Sequence, residues 1–74
     1  MEQLALRKPG HSFYVTVVDD GRHGFLLGPY DTHSEAKDNV NRGRSLAEKS
    51  DVRAAFYGFG TAQAVDGKRT VFGS

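Results

Sequence analysis

The sequence contains no cysteine. Neither a disulfide nor a thiolate-bound metal can therefore staple the chain, and the redox compartment stays open. An excess of charge of one sign is also missing. Ten basic and nine acidic side chains leave a net charge of +1, whereas proteins that bind duplexes carry a clear positive excess, because phosphate contacts supply most of their affinity. This weighs against strong nucleic-acid binding without removing it. Long hydrophobic runs are absent too. Nothing approaches the ~20 apolar residues of a membrane span, and Met1–Ser12, with Glu2, Arg7, Lys8 and Pro9, has no apolar stretch of signal-sequence length. The expectation is a cytoplasmic protein with no membrane partner.

What is present is ordinary globular material, 38% hydrophobic and 26% charged over 74 residues. That length makes one small domain, assigned to residues 12–74, behind an N-terminal tail of residues 1–11. Leu4-Ala5-Leu6 in the tail is a candidate latch or extra strand, and Pro9-Gly10 a break. An unstapled domain of this size buries modest apolar area against a large conformational entropy cost. A homodimer, or stability tied to a partner, is the expected remedy.

Residues 13–47 carry most of the structural signal. Phe13-Tyr-Val-Thr-Val-Val18 is a β-branched and aromatic strand with Phe13, Val15 and Val17 on its core side. A three-residue loop of Asp19, Asp20 and Gly21 then pairs Val15 with Phe25 and Phe13 with Leu27, keeping the large residues of Phe25-Leu-Leu27 on the core face. Tyr14, Thr16, Val18, Arg22, Gly24 and Leu26 fall on the outer face. Gly28-Pro29 ends the second strand. Thr32 and Glu35 form a capping box, and Ala36, Val40, Gly43 and Ala47 recur at helical spacing to about Lys49. That small-residue stripe lets a helix sit close to a bulky sheet.

Val52–Ala64 reads as a third strand, Asp66-Gly67 as a type I′ turn, and Lys68–Phe72 as a fourth strand. The expected fold is therefore α+β, ββαββ: a four-stranded antiparallel sheet in order 2-1-3-4 with one helix packed on one face. The second strand is then an uncharged edge over residues 23–28, open to homodimer pairing or strand addition.

Chemistry is sparse. His11, His23 and His33 stand at no metal-ligand spacing, and no nucleophile elbow is present. Gly67-Lys68-Arg69-Thr70 fails as a phosphate loop, since Ala62 replaces the first glycine and Arg69 the magnesium-binding hydroxyl. Lys68 and Arg69 near the helix N-terminus make an anion site conceivable. No catalytic residue, metal or cofactor is assigned.

Three resemblances rest on residues. Tyr57-Gly58-Phe59 resembles part of the RNA-recognition-motif fingerprint, but Ala55 and Phe56 replace its leading basic residue and glycine. Tyr57 and Phe59 are accordingly expected to fill the core beneath the helix, with Gly58 and Gly60 on the open face; with Phe56 inward instead, they join Tyr14 as a stacking platform. Residues 13–61, with Gly-Phe-Leu-Leu-Gly-Pro-Tyr, a capped helix and Phe-Tyr-Gly-Phe-Gly-Thr, resemble short proteins of bacterial mobile elements and prophages. The strand–Gly-Pro-aromatic–helix passage is similar to half of a peptidoglycan-binding SPOR domain, which has two such halves.

The function expected on these grounds is a non-catalytic binding module for a macromolecular, protein partner, as an inhibitor or accessory factor of a mobile element or phage. Contact residues are Tyr14, Thr16, Arg22 and Leu26. The alternative is a nucleic-acid binder using Arg42, Arg44, Tyr57, Lys68 and Arg69, with Arg22 at the opposite end of the sheet.

Overall fold

The computed structural model describes residues 9–73, with Phe56 described by its backbone alone. The Leu4–Leu6 latch lies outside the described residues. Strand β1 (His11–Asp19) turns into β2 (Arg22–Tyr30), followed by helices α1 (His33–Asp38) and α2 (Val40–Ser50), a 3-10 turn (Val52–Phe56) and strand β3 (Gly58–Val65). The three strands form an antiparallel sheet in order β2-β1-β3. The α+β class and the position of the third strand beside the first are as expected. A fourth strand is not present among the described residues, so the order 2-1-3-4 is replaced by the three-strand order.

The hairpin loop is also shorter than expected. Asp19 pairs with Arg22, so only Asp20 and Gly21 form the loop. Their φ angles, 50° and 80°, are the two positive values a type I′ turn requires. Its twist matches that of the flanking strands, which favours it over a three-residue loop. The consequence is a shift of face: Phe25 pairs with Thr16 on the outer side rather than with Val15. A register shift between the Val15–Leu27 and Thr16–Phe25 pairs then leaves Leu26 as the extra residue of a bulge. Through that bulge both Leu26 and Leu27 reach the core, joining Val15. Beyond it, the Gly28–Pro29 peptide is cis.

Helices and core agree with the sequence pattern in most particulars. The Thr32 hydroxyl accepts from the Glu35 N–H at 3.2 Å, capping α1. Ala36 and Gly43 are buried, and Val40, Leu46 and Ala47 pack on the Val15–Leu26–Leu27 cluster. The single helix expected here is in two pieces, however. Asn39 breaks it because its side-chain amide donates to the Glu35 carbonyl at 2.8 Å, competing with the helical ladder. Gly43 is where α2 comes closest to the sheet: a Cβ there would lie 2.9 Å from Val15 Cγ1.

Residues 52–56 are not the start of a strand. Asp51 accepts from the Arg53 backbone N–H at 2.9 Å, holding this segment in a 3-10 turn that buries Ala54. Local side-chain capping overrides the strand propensity of the aromatics. Phe59 does face the helices and packs on the core, as expected.

The largest departure is the C-terminal segment. Of Asp66 and Gly67 only Gly67 has a positive φ, 84°, so the type I′ hairpin does not form. The chain instead crosses the sheet face opposite the helices. Val71 N–H donates to Phe25 O, Phe72 N–H to Leu26 O, and the Gly28 N–H to Gly73 O, at 2.9–3.0 Å. The residues expected to extend the sheet beyond β3 therefore close its β2 edge. Phe72 packs against the core cluster, which gives this route an apolar anchor.

Candidate binding surface

The outer sheet face is built by alternation: even-numbered residues of β1 point away from the helices. Ser12, Tyr14, Thr16 and Val18 lie there beside Gly58, Gly60, Ala62 and Ala64 of β3 and His23 and Phe25 of β2. The crossing strap divides this face. At one end Tyr14 is completely buried. Its phenol donates to Val65 O at 3.1 Å and accepts from the Lys68 N–H at 3.3 Å. Its ring meets Phe25 edge-on at 5.1 Å, and the Lys68 ammonium lies 5.7 Å from the Phe25 centroid. Ser12 donates to the Asp66 carboxylate, and the Asp66 N–H to Gly10 O, pinning the strap where it starts.

Toward the hairpin the strap leaves the face open. A hollow of about 350 Å³ lies there, lined by Thr16, Val18, His23, Gly24, Phe25, Thr61 and Ala62. Its floor is apolar because β3 contributes only small residues, so the sheet surface dips between Val18 and the Phe25 ring. His23 is the one titratable side chain among those lining it, with the Thr16 hydroxyl as a polar contact. Such a surface can bury apolar groups of a partner and fix their orientation by a few polar contacts.

The residues singled out from sequence separate into distinct environments. Thr16 lines the hollow and Arg22 is exposed at its turn end. Tyr14 and Leu26 are buried, the first under the strap and the second in the bulge, so neither belongs to the accessible surface. Among the basic residues, Arg44 stacks over Phe59 at 5.3 Å on the helix side, while Lys68 stacks on Phe25 on the other face. Arg42 is exposed on α2 with an Nη1–Asn39 Oδ1 contact of 3.4 Å, and Arg69 is exposed on the strap. These cations do not form one patch, and Lys68 is turned away from the α1 N-terminus, to the face without helices. The Tyr57 phenol donates to Asp51 at 3.1 Å. Burial pushes it above its ordinary range, with the Asp51 carboxylate adding to the effect. Phe59 on the helix side also removes the stacking platform of Tyr14, Tyr57 and Phe59. The 23–28 edge proposed for a homodimer is filled by Val71–Gly73.

Val18 lies on the outer face that the sequence pattern assigns to it, whereas His23, Phe25 and Ala62 are added by the structure. The signal was available: Asp20-Gly21 as a two-residue loop places Phe25 beside Thr16 on the outer face.

Two further polar clusters are structural in character. His33 Nε2 lies 3.0 Å from Thr61 Oγ1, with its ring 5.7 Å from Phe13, tying α1 to β3. Asp51 accepts from Arg53 Nε and Nη2 at 3.3 and 3.2 Å, which holds its carboxyl below the ordinary range. Among the described residues no group of three His, Asp or Glu side chains converges on a metal position, and no helix is long and apolar enough to cross a membrane. Comparisons with protein-family models, curated proteins and solved structures gave no match.

Proposed function

We propose that this protein is a non-catalytic binding module whose protein partner docks on the hairpin half of the outer sheet face. The observation that carries this reading is the apolar hollow between Val18, Phe25 and Ala62. Val18 is 38% exposed near the hairpin end of β1, where a polar residue would cost the isolated domain little. Thr16 and His23 supply orienting hydrogen bonds, and Arg22 is the charged residue at the rim. The resemblance of residues 13–61 to proteins of mobile elements and prophages is the ground for a role as an inhibitor or accessory factor.

The test is affinity capture from the cells that produce the protein, with three baits: wild type, Val18→Asp and Arg42→Glu. Val18→Asp puts a charge into the hollow, whereas Arg42→Glu changes an exposed helix position away from it. Proteins captured by the wild type and by Arg42→Glu, and lost with Val18→Asp, support the reading. An unchanged capture profile for Val18→Asp, with its circular dichroism intact, refutes it. Capture that depends on nucleic acid and is lost with Arg42→Glu instead transfers the function to the cationic residues.

A further inference from the structure

Because Val71–Gly73 fill the outer edge of β2, the sheet has one edge that no other backbone group among the described residues reaches, that of β3. Gly58–Val65 is an eight-residue strand with no charge and no proline. Its register against β1 runs from His11↔Val65 to Val18↔Gly58 without a bulge. Charges, proline and bulges are the devices that keep the edges of monomers from pairing, and β3 carries none of them.

We propose that two copies of this chain associate through β3, antiparallel about a two-fold axis normal to the sheet at Ala62, so that their three-stranded sheets become one. A second copy fits this edge for reasons specific to the sequence. A two-fold axis in that direction keeps both helix layers on one side and pairs residues whose numbers sum to an even value. Centring it at Ala62 engages residues 59–65 of the strand: Thr61 faces Gln63 of the second copy, Phe59 faces Val65, and Gly60 faces Ala64. Val65 is 51% exposed in the single chain, and the facing Phe59 ring covers it in an aromatic–β-branched pair. Gln63 Nε2 is buried without a hydrogen-bond partner, and this register sets it opposite a Thr61 hydroxyl that can accept.

Charge does not oppose the arrangement. Each Arg44 sits over its own Phe59, and the two Phe59 residues lie six positions apart along the paired strands, about 20 Å. That exceeds the ~8 Å Debye length at physiological ionic strength, so the repulsion between the two guanidinium groups is screened. Edge pairing alone buries less than the ~1,200 Å² of a stable interface. The dimer is accordingly weak and dependent on concentration. Thr61 and Ala62 also line the hollow, but pairing through the β3 backbone needs no occupant there, so the purified chain alone reads the association.

Sedimentation equilibrium of the purified full chain tests this. Between about 10 μM and 1 mM the wild-type mass is expected to rise from 8.1 kDa toward twice that value. Ala62 is exposed, so Ala62→Lys and Ala62→Glu keep the fold, as circular dichroism verifies. Each places like charges face to face at the axis and weakens association by about tenfold or more. An equimolar mixture of the two sets opposite charges together and restores it. Three results would each overturn the proposal: a wild-type mass constant at one chain, which leaves the edge to an extended segment of another protein; variants that associate as the wild type does; or a mixture no stronger than its components.

Discussion

Replacing Gly43 with alanine sets two opposing effects against each other at the closest approach of α2 to the sheet. In an exposed helix interior the change gains about 0.8–1.0 kcal/mol, because glycine loses more backbone entropy on folding. At Gly43 the new methyl would lie 2.9 Å from Val15 Cγ1 and 3.4 Å from Leu27 Cδ1. Val15 is fully buried on the central strand and β-branched, so it has little freedom to move aside. Overpacking of this kind costs about 1–3 kcal/mol. The overlap therefore wins, and Gly43→Ala should destabilise the domain by roughly 1 kcal/mol.

The double variant makes the argument sharper. Val15→Ala alone removes two buried carbons and leaves a void, at a cost of about 2 kcal/mol. In that background the alanine methyl at position 43 enters vacated space. Its helix propensity is then expressed without the clash, and Gly43→Ala becomes stabilising by about 1 kcal/mol. The coupling energy is thus about 2 kcal/mol and favourable. Urea denaturation of the four proteins, followed by circular dichroism at one low concentration, measures it. If Gly43→Ala stabilises the wild-type background, or if coupling is below about 0.5 kcal/mol, α2 does not sit on Val15 as described.

Three further perturbations probe the strap and the 3-10 turn. Tyr14→Phe removes the hydroxyl that donates to Val65 O and accepts from the Lys68 N–H; a loss of about 1–2 kcal/mol and faster amide exchange at Lys68 are expected, and unchanged exchange there would contradict the bond. Deleting residues 71–74 uncovers the β2 edge and withdraws Phe72 from the core, so the truncated chain should be less stable and, at equal concentration, aggregate sooner by light scattering. Asp51 titrates below its ordinary range in the folded chain because of Arg53, so its contribution is present at neutral pH and is lost as pH falls through the carboxylate range toward the depressed value. Asp51→Asn should flatten that part of the acid denaturation curve, and an identical curve would show that the pair contributes nothing.

Sequence spacing alone determines the elements whose partners are a few residues away. Thr32 and Glu35 define the α1 start because the accepting hydroxyl and the N–H that donates to it are three positions apart. Ala36, Val40, Gly43 and Ala47 define the buried side of the helical segment, and Phe13, Val15 and Val17 define the core side of β1. The outer-face hollow was less legible. Its residues depend on whether the hairpin loop holds two or three residues, and a change of one moves Phe25 to the other face. The positive φ at Asp20 settled that parity, and the bulge at Leu26 restored the apolar count beneath the helices. The route of residues 66–73 was decided by tertiary structure alone. As an isolated stretch they read as a turn and a strand beside β3. In the folded chain the Tyr14 phenol needs partners, the bulged β2 edge offers unpaired carbonyls, and the core cluster has room for Phe72. Those three demands come from residues 40 to 60 positions away, and no local pattern encodes them.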